Sequence, residues 1–138
     1  MNVFFDTNVL MDVLLDRQPF VVESERVWFL ADRGKVRGLV SVLSFPIIYY
    51  VVRKVRGADG ARSMLAMLRD TFTAAPLDEQ ILNQAMDAKF ADFEDAIQYF
   101  SALRAGAECL LTRNVGHFPD SGLRVFSPEE FLAAHSFE

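Results

Sequence analysis

Five short apolar runs, each bounded by polar or turn residues, most narrow what this chain can fold into: Asn2–Phe5, Leu39–Val42, Thr71–Ala75, Glu108–Leu111 and Arg124–Phe126. Each has the length of a strand buried on both faces, and such strands belong to parallel sheets covered by helices. The segments between them carry the 3.6-residue period: Asn8–Leu15, Val22–Ala31, Ser44–Lys54, Ala61–Arg69, Glu79–Lys89 and Asp92–Ala105, with a last turn at Pro128–Ala134. This alternation predicts an α/β fold of three layers, helices on both faces of a five-stranded, mostly parallel sheet.

Local signals sharpen the boundaries. Asp78 is placed to cap the helix after it, with Leu77 and Leu82 spaced for a hydrophobic staple. Ser127-Pro128-Glu129-Glu130 combines a cap, a first-turn proline and early acids. Phe45–Val52 is rich in β-branched and aromatic residues and competes as a strand, but Pro46 in a first turn and the flanks Ser44 and Arg53-Lys54 favour a helix. No repeat or linker interrupts the 138 residues, so residues 1–138 are expected to form one domain.

Composition excludes several classes. A 51% hydrophobic content with 13 Phe rules out disorder, and the longest apolar runs, Val40–Leu43 and Phe45–Val52, fall well short of a membrane span. The first residues lack a basic segment followed by an apolar one, so a cytoplasmic protein is expected. One Cys and two His exclude a Cys/His zinc cage, which leaves oxygen as the main ligand for any metal. A net charge of −5 argues against a surface that coats nucleic acid, yet leaves room for a small basic groove.

The carboxylates sit where chemistry is possible. Asp6 follows the first apolar run, at the edge where an open α/β sheet presents groups to ligand; equally, Asp6, Thr7 or Asn8 can simply cap the next helix. At about 100° per residue, Asp92 lies within about 40° of the apolar stripe Ala96, Tyr99 and Leu103, and Asp95 lies about 60° from Asp92. The two acids therefore border a core-facing stripe and repel each other unless a cation, a proton or hydrogen bonds compensate. The alternative is a cap at Asp92 with Asp95 favouring the helix N-terminus. Glu94, about 160° from Asp92, is expected to face solvent.

Thr112 and Asn114 follow the fourth apolar run, where they can orient water or a carboxylate, or serve a turn. His117 reads as a loop residue with no leading role. Taken together, Asp6, Asp92, Asp95, Thr112 and Asn114 predict an oxygen-rich pocket suited to Mg²⁺ or Mn²⁺. Such an ion activates water beside a phosphodiester and offsets charge on the phosphoryl oxygens. Arg53-Lys54-Val55-Arg56, with Arg62 beyond, is the densest basic stretch; it either steers a phosphate backbone or forms a solvated helix end.

Phe5-Asp6-Thr7-Asn8-Val9-Leu10, Asp92-Phe93-Glu94-Asp95-Ala96 and Leu111-Thr112-Arg113-Asn114 with Phe118, in this order, resemble the motifs of the PIN-domain ribonucleases. The nearest branch is the small single-domain prokaryotic proteins similar to VapC toxins. The resemblance spans essentially the whole chain, through Ser127-Pro128-Glu129-Glu130-Phe131-Leu132. It implies a PIN-like five-stranded parallel sheet, a Mg²⁺/Mn²⁺-dependent RNA-cleaving site, homodimers and an antitoxin partner. Carried over, Asp6, Asp95 and Asp92 match metal-holding acids, and Thr112 matches the hydroxyl after the fourth strand. Asn8, Arg53, Lys54 and Arg113 are expected to face substrate.

Two departures stand out. Asn114 replaces an acid common in the family, and Ser44–Lys54 contains no acid where many members carry a Glu, the matching position being Ile47. The leading expectation is thus a metal-dependent endoribonuclease acting as the toxin of a pair, and the second a non-catalytic module that binds RNA or a protein. A phospho-acceptor receiver domain fits poorly. It needs paired acids after the first strand and a Lys near the fifth, where this chain has one Asp6 and Arg124-Val125-Phe126-Ser127.

Overall fold

A computed structural model describes residues 1–120 and 122–137. In chain order the elements are β1 (Asn2–Phe5), α1 (Thr7–Leu14), α2 (Val21–Asp32), β2 (Arg37–Ser41), α3 (Ser44–Thr71), β3 (Thr73–Ala75), α4 (Glu79–Asp87), α5 (Phe93–Arg104), β4 (Cys109–Leu111), a 3₁₀ turn (Val115–His117), β5 (Arg124–Phe126) and α6 (Pro128–Ala134). The five strands form one sheet in the order β3-β2-β1-β4-β5, and every pairing is parallel.

The period of two along the strands sorts the core into two layers. Val3, Phe5, Val40, Cys109 and Leu111 face one side, where they pack with Val9 and Leu10 of α1, Trp28 of α2, Ile48 of α3 and Phe131 of α6. Phe4, Leu39 and Leu110 face the other, against Tyr99 and Ala102 of α5. The apolar runs are thus strands with helices on both faces, as their composition requires.

Phe45–Val52 is helical. Ile48 and Val52, four apart, are fully buried, while Tyr50 is 62% exposed, a division that a helix makes and a strand does not. The two helices expected at Ser44–Lys54 and Ala61–Arg69 are the limbs of α3, separated by a break at Gly57 with φ 75° and ψ 174°. The limbs fold back on each other, bringing the Arg62 guanidinium over the Tyr49 ring at 5.7 Å.

Strand boundaries shift by one or two residues in β2, β3 and β4, with β2 ending at Ser41 and β4 beginning at Cys109. β2 begins at Arg37 rather than Leu39 because Asn2 pairs with Arg37 and Val3 with Gly38. A side chain at Gly38 would lie 2.5 Å from the Phe72 ring, so glycine at this strand position is required by packing. β3 begins at Thr73, since Thr71 still closes α3 and Phe72 is its C-cap. Asp78 caps α4 by accepting from the Ile81 N–H, but Leu77 and Leu82 stay 37% and 41% exposed and form no buried staple. Ser127 and Glu130 form a complete capping box on α6. Among the described residues, no helix is long and apolar enough to cross a membrane.

Strand order positions the site. From β1 the chain winds outward through β2 and β3, then returns to the other side of β1 for β4 and β5. The winding reverses between β1 and β4, and in open parallel sheets the crevice at the carboxyl ends of such strands receives ligand.

Candidate active site

Asp6 and Thr112 are the first residues beyond the ends of β1 and β4, on either side of that crevice. The Asp6 N–H donates to the Leu111 carbonyl at 2.9 Å, extending the strand pairing to the rim. Asp6 is both cap and candidate ligand. Its Oδ1 accepts from the Thr7 N–H at 2.7 Å, and its Oδ2 accepts from the Thr112 hydroxyl at 2.8 Å. Only 3% of Asp6 is exposed, and its carboxyl is pushed from 3.8 up to about 6. Burial is the main cause; the Thr112 hydrogen bond opposes it, and repulsion from Asp95 and Glu94 adds to it.

Thr112 is fully buried and fixes the strand-end loop. Its hydroxyl oxygen accepts from the Asn114 N–H at 3.1 Å and from Asn8 Nδ2 at 3.4 Å, while Asn8 Oδ1 accepts from the Arg113 N–H at 3.3 Å. Asn8 thus ties α1 to the loop after β4.

Asp92 caps α5, its Oδ1 accepting from the Asp95 N–H at 3.1 Å. This places Asp95 in the first turn, almost buried, with its carboxyl raised chiefly by burial and next by Asp92. The capping reading of Asp92 is correct, and it coexists with a place at the site. Asp6, Asn8, Ile47, Asp92, Glu94, Asp95 and Asn114 all line one cleft of about 200 Å³. Both departures from the resemblance, Ile47 and Asn114, are on its wall.

Glu94 is exposed, as its place on the helix implies, and it also lines the cleft, where partial burial, then Asp92 and Asp95, raise its carboxyl. The first turn of α5 ends at the rim of the cleft, so side chains from more than one helical face reach it. His117 is also better placed than expected: its Nδ1 lies 3.1 Å from Asp95 Oδ2, which opposes the upward shift of that carboxyl.

Behind the cleft lies a polar network absent from the sequence reading. The Thr7 and Ser44 hydroxyls are 2.8 Å apart, and the fully buried Gln98 donates to Thr7 Oγ1 at 2.8 Å and to Ser44 Oγ at 3.3 Å. It joins α1, α3 and α5 beneath the acids. At about 100° per residue Gln98 lies about 120° from Asp92, off the apolar stripe, so helical spacing gives no signal for it.

Arg113, expected to face substrate, is engaged inward. Its Nε lies 2.9 Å from Oδ2 of Asp12, whose side chain is fully buried, and its guanidinium stacks on Phe20 at 4.1 Å. Asp12 is an acid between Met11 and Val13 in α1, the signal by which it could have been found. Ser24 also donates to Asp12 at 3.2 Å. Arg53 and Lys54 lie on the first limb of α3 and do not line the cleft.

Among the described residues no three acidic, His or Cys side chains enclose a ready metal cage. The donor set still suits a hard divalent cation, because the cleft gathers the buried Asp6 and Asp95 with Asp92 and Glu94, and repulsion among these acids is opposed there by His117 beside Asp95 alone among the described residues.

Known proteins resemble this chain in sequence and in fold. Ribonuclease VapC1 of Aquifex aeolicus (strain VF5) is 27% identical, over 94% of this chain and 92% of that protein. The fold matches that of VapBC2 from Rickettsia felis bound to a promoter DNA fragment, with a TM-score of 0.71 at 13% identity over 92% of this chain and 98% of that one. It also matches a toxin-antitoxin complex from Klebsiella pneumoniae, with a TM-score of 0.69 at 21% identity over 91% and 97%. Residues 2–116 match the PIN domain family, and with Asp6, Asp92, Asp95 and Thr112 gathered at the switch point of a five-stranded parallel sheet, the chain belongs to that family.

Proposed function

We propose that this chain is an endoribonuclease that hydrolyses RNA phosphodiester bonds with Mg²⁺ or Mn²⁺, and that it is the toxin of a toxin-antitoxin pair. The observation that carries the reading is Asp6, buried at the switch point, hydrogen-bonded to Thr112 and sharing its cleft with Asp92, Glu94 and Asp95. The named activity of the Aquifex relative and the toxin-antitoxin complexes among the structural neighbours support it.

Asp6 and Asp95 would hold the ion, with Asp92 and Glu94 beside them. When bound, the ion supplies the positive charge that activates water and offsets charge on the phosphoryl oxygens. Thr112 holds the Asp6 carboxylate in one orientation, so its oxygens are aimed before substrate arrives. Gln98, Ser44 and Thr7 keep the helix ends from shifting. The Asp95 oxygen near His117 must exchange that imidazole for the ion or share it.

The partners that follow are RNA, an antitoxin protein and a second copy of the chain in a homodimer, in the cytoplasm. A second reading, a module that binds RNA or protein without cutting, is favoured by Ile47 on the cleft wall. Cleavage of a mixed RNA pool with Mn²⁺, Mg²⁺ or chelator separates the two. On the nuclease reading, wild type cuts only with the ion, and Asp95→Asn lowers the rate at least about a hundredfold while the fold survives. Equal rates for wild type and Asp95→Asn would leave the binding module as the better account.

A further inference from the structure

An acidic cleft presents a problem for a polyanionic substrate. The chain is net −5, and four carboxylates line or cap the cleft, so attraction must come from cations beside it. Arg113 is not available, being paired with Asp12 and stacked on Phe20. The first limb of α3 is different. Residues 44–58 hold Arg53, Lys54 and Arg56 and no acid, and α3 as a whole carries five cations against two acids. Among the described residues, no carboxylate pairs with Arg53, Lys54, Arg56 or Arg62.

This limb starts at the cleft. Ile47 lines the cleft, and by helical geometry Lys54 lies about 20° from it around the axis and about 10 Å further along. Tyr50 falls between Arg53 and Lys54 around the same axis. It is 62% exposed, and the Lys54 ammonium sits 4.4 Å from its ring centre. An exposed ring held by a lysine and flanked by an arginine combines a stacking surface with backbone-binding charge, the two parts a single strand requires. A duplex keeps its bases stacked inside and offers the ring nothing.

We propose that this face of α3 is the entry track for single-stranded RNA, with Tyr50 the platform on which an unpaired base stacks and Arg53 and Lys54 the contacts to its backbone. The proposal rests on the cleft being an RNA-cleaving site and names how its substrate arrives. Tyr50 and Lys54 are binding residues, so their removal affects KM and leaves kcat in place.

The test uses full-length protein, a fluorescent mixed-sequence single-stranded RNA and the matching duplex. Binding is read by anisotropy over a salt series in chelator, and cleavage kinetics in Mn²⁺. Tyr50→Ala is expected to weaken single-strand binding and raise KM roughly tenfold, with Tyr50→Trp restoring both and duplex binding unmoved. Lys54→Gln should flatten the log–log salt dependence by about 0.7. Arg37→Gln, at the opposite end of the sheet, serves as the control.

Tyr50→Ala and Lys54→Gln behaving as wild type in an enzyme that cuts RNA would overturn the track and leave the nuclease standing. Wild type that binds single strands through Tyr50 yet never cuts would keep the track and overturn the nuclease. Sedimentation closes the remaining route: a change in mass for Tyr50→Ala with RNA binding intact makes the face a protein interface and overturns the proposal.

Discussion

Asp6 is a carboxylate that the fold buries without giving it a counter-charge. Its folded value of about 6 lies above the ordinary 3.8, so between those values the folded chain holds a proton that the unfolded chain releases. The stability this protonation confers is fully present below about pH 4 and is lost as pH rises through about 6, an effect of about 3 kcal/mol. In chelator at pH 7.5, Asp6→Asn should therefore raise the free energy of urea unfolding by about 1 kcal/mol or more, and the gain should vanish near pH 4. A mutant less stable than wild type at pH 7.5 would show that the Thr112 and Thr7 hydrogen bonds outweigh the burial. Asp12 illustrates the opposite case, a buried acid that does have its cation. Arg113→Ala leaves that carboxylate buried with the Ser24 hydrogen bond but without its paired guanidinium, and equilibrium unfolding should register a loss of about 3 kcal/mol. Asp12→Ala should cost less, because the Arg113 side chain is 26% exposed and can reach water.

At the scale of elements, α3 is decided by one residue. Gly57, at φ 75° and ψ 174°, has a conformation open almost only to glycine, and nothing lies within 4 Å of where a Cβ would stand. Gly57→Ala thus isolates backbone strain from packing. It should cost about 1–3 kcal/mol in thermal or urea unfolding, and weaken the return of Arg62 to Tyr49. A neutral substitution would mean the limbs hold their angle by packing through Ala61 and Val52 alone. The start of α6 is the contrasting case, a helix end written entirely in local sequence. Ser127→Ala removes one half of a capping box, and a loss of about 1 kcal/mol is expected from the same measurement. The first turn of α5 lies between these extremes. Its cap at Asp92 and the exposure of Glu94 are legible from spacing, but that Glu94 borders the cleft is not, because a helical wheel separates only core from solvent. Here the helix ends at a cleft that surrounds its first turn.

For the molecule as a whole, the excess of acid at one crevice is the main unbalanced feature, and a ligand that neutralises it should stabilise the fold by mass action. Saturating Mn²⁺ at about a hundred times its dissociation constant is expected to add about 2.7 kcal/mol, read as a rise in melting temperature at pH 7.5. The double variant Asp6→Asn with Asp95→Asn should show no such rise; an equal rise in both proteins would place the ion elsewhere. How this crevice arises separates two kinds of information. The alternation of apolar runs and helical periods, the caps at Asp78, Asp92 and Ser127, and the strand-end place of Asp6 follow from the sequence, because each depends on backbone periodicity or on hydrogen bonds within a few residues. Membership of the cleft does not. Thr112 meets Asp6 across 106 positions, Arg113 meets Asp12, Gln98 meets Thr7 across 91, and His117 meets Asp95. These pairs exist only because β4 docks beside β1 rather than at an outer edge. That order is settled by how two apolar layers pack over a shared sheet, a sum over the entire chain that no local spacing contains.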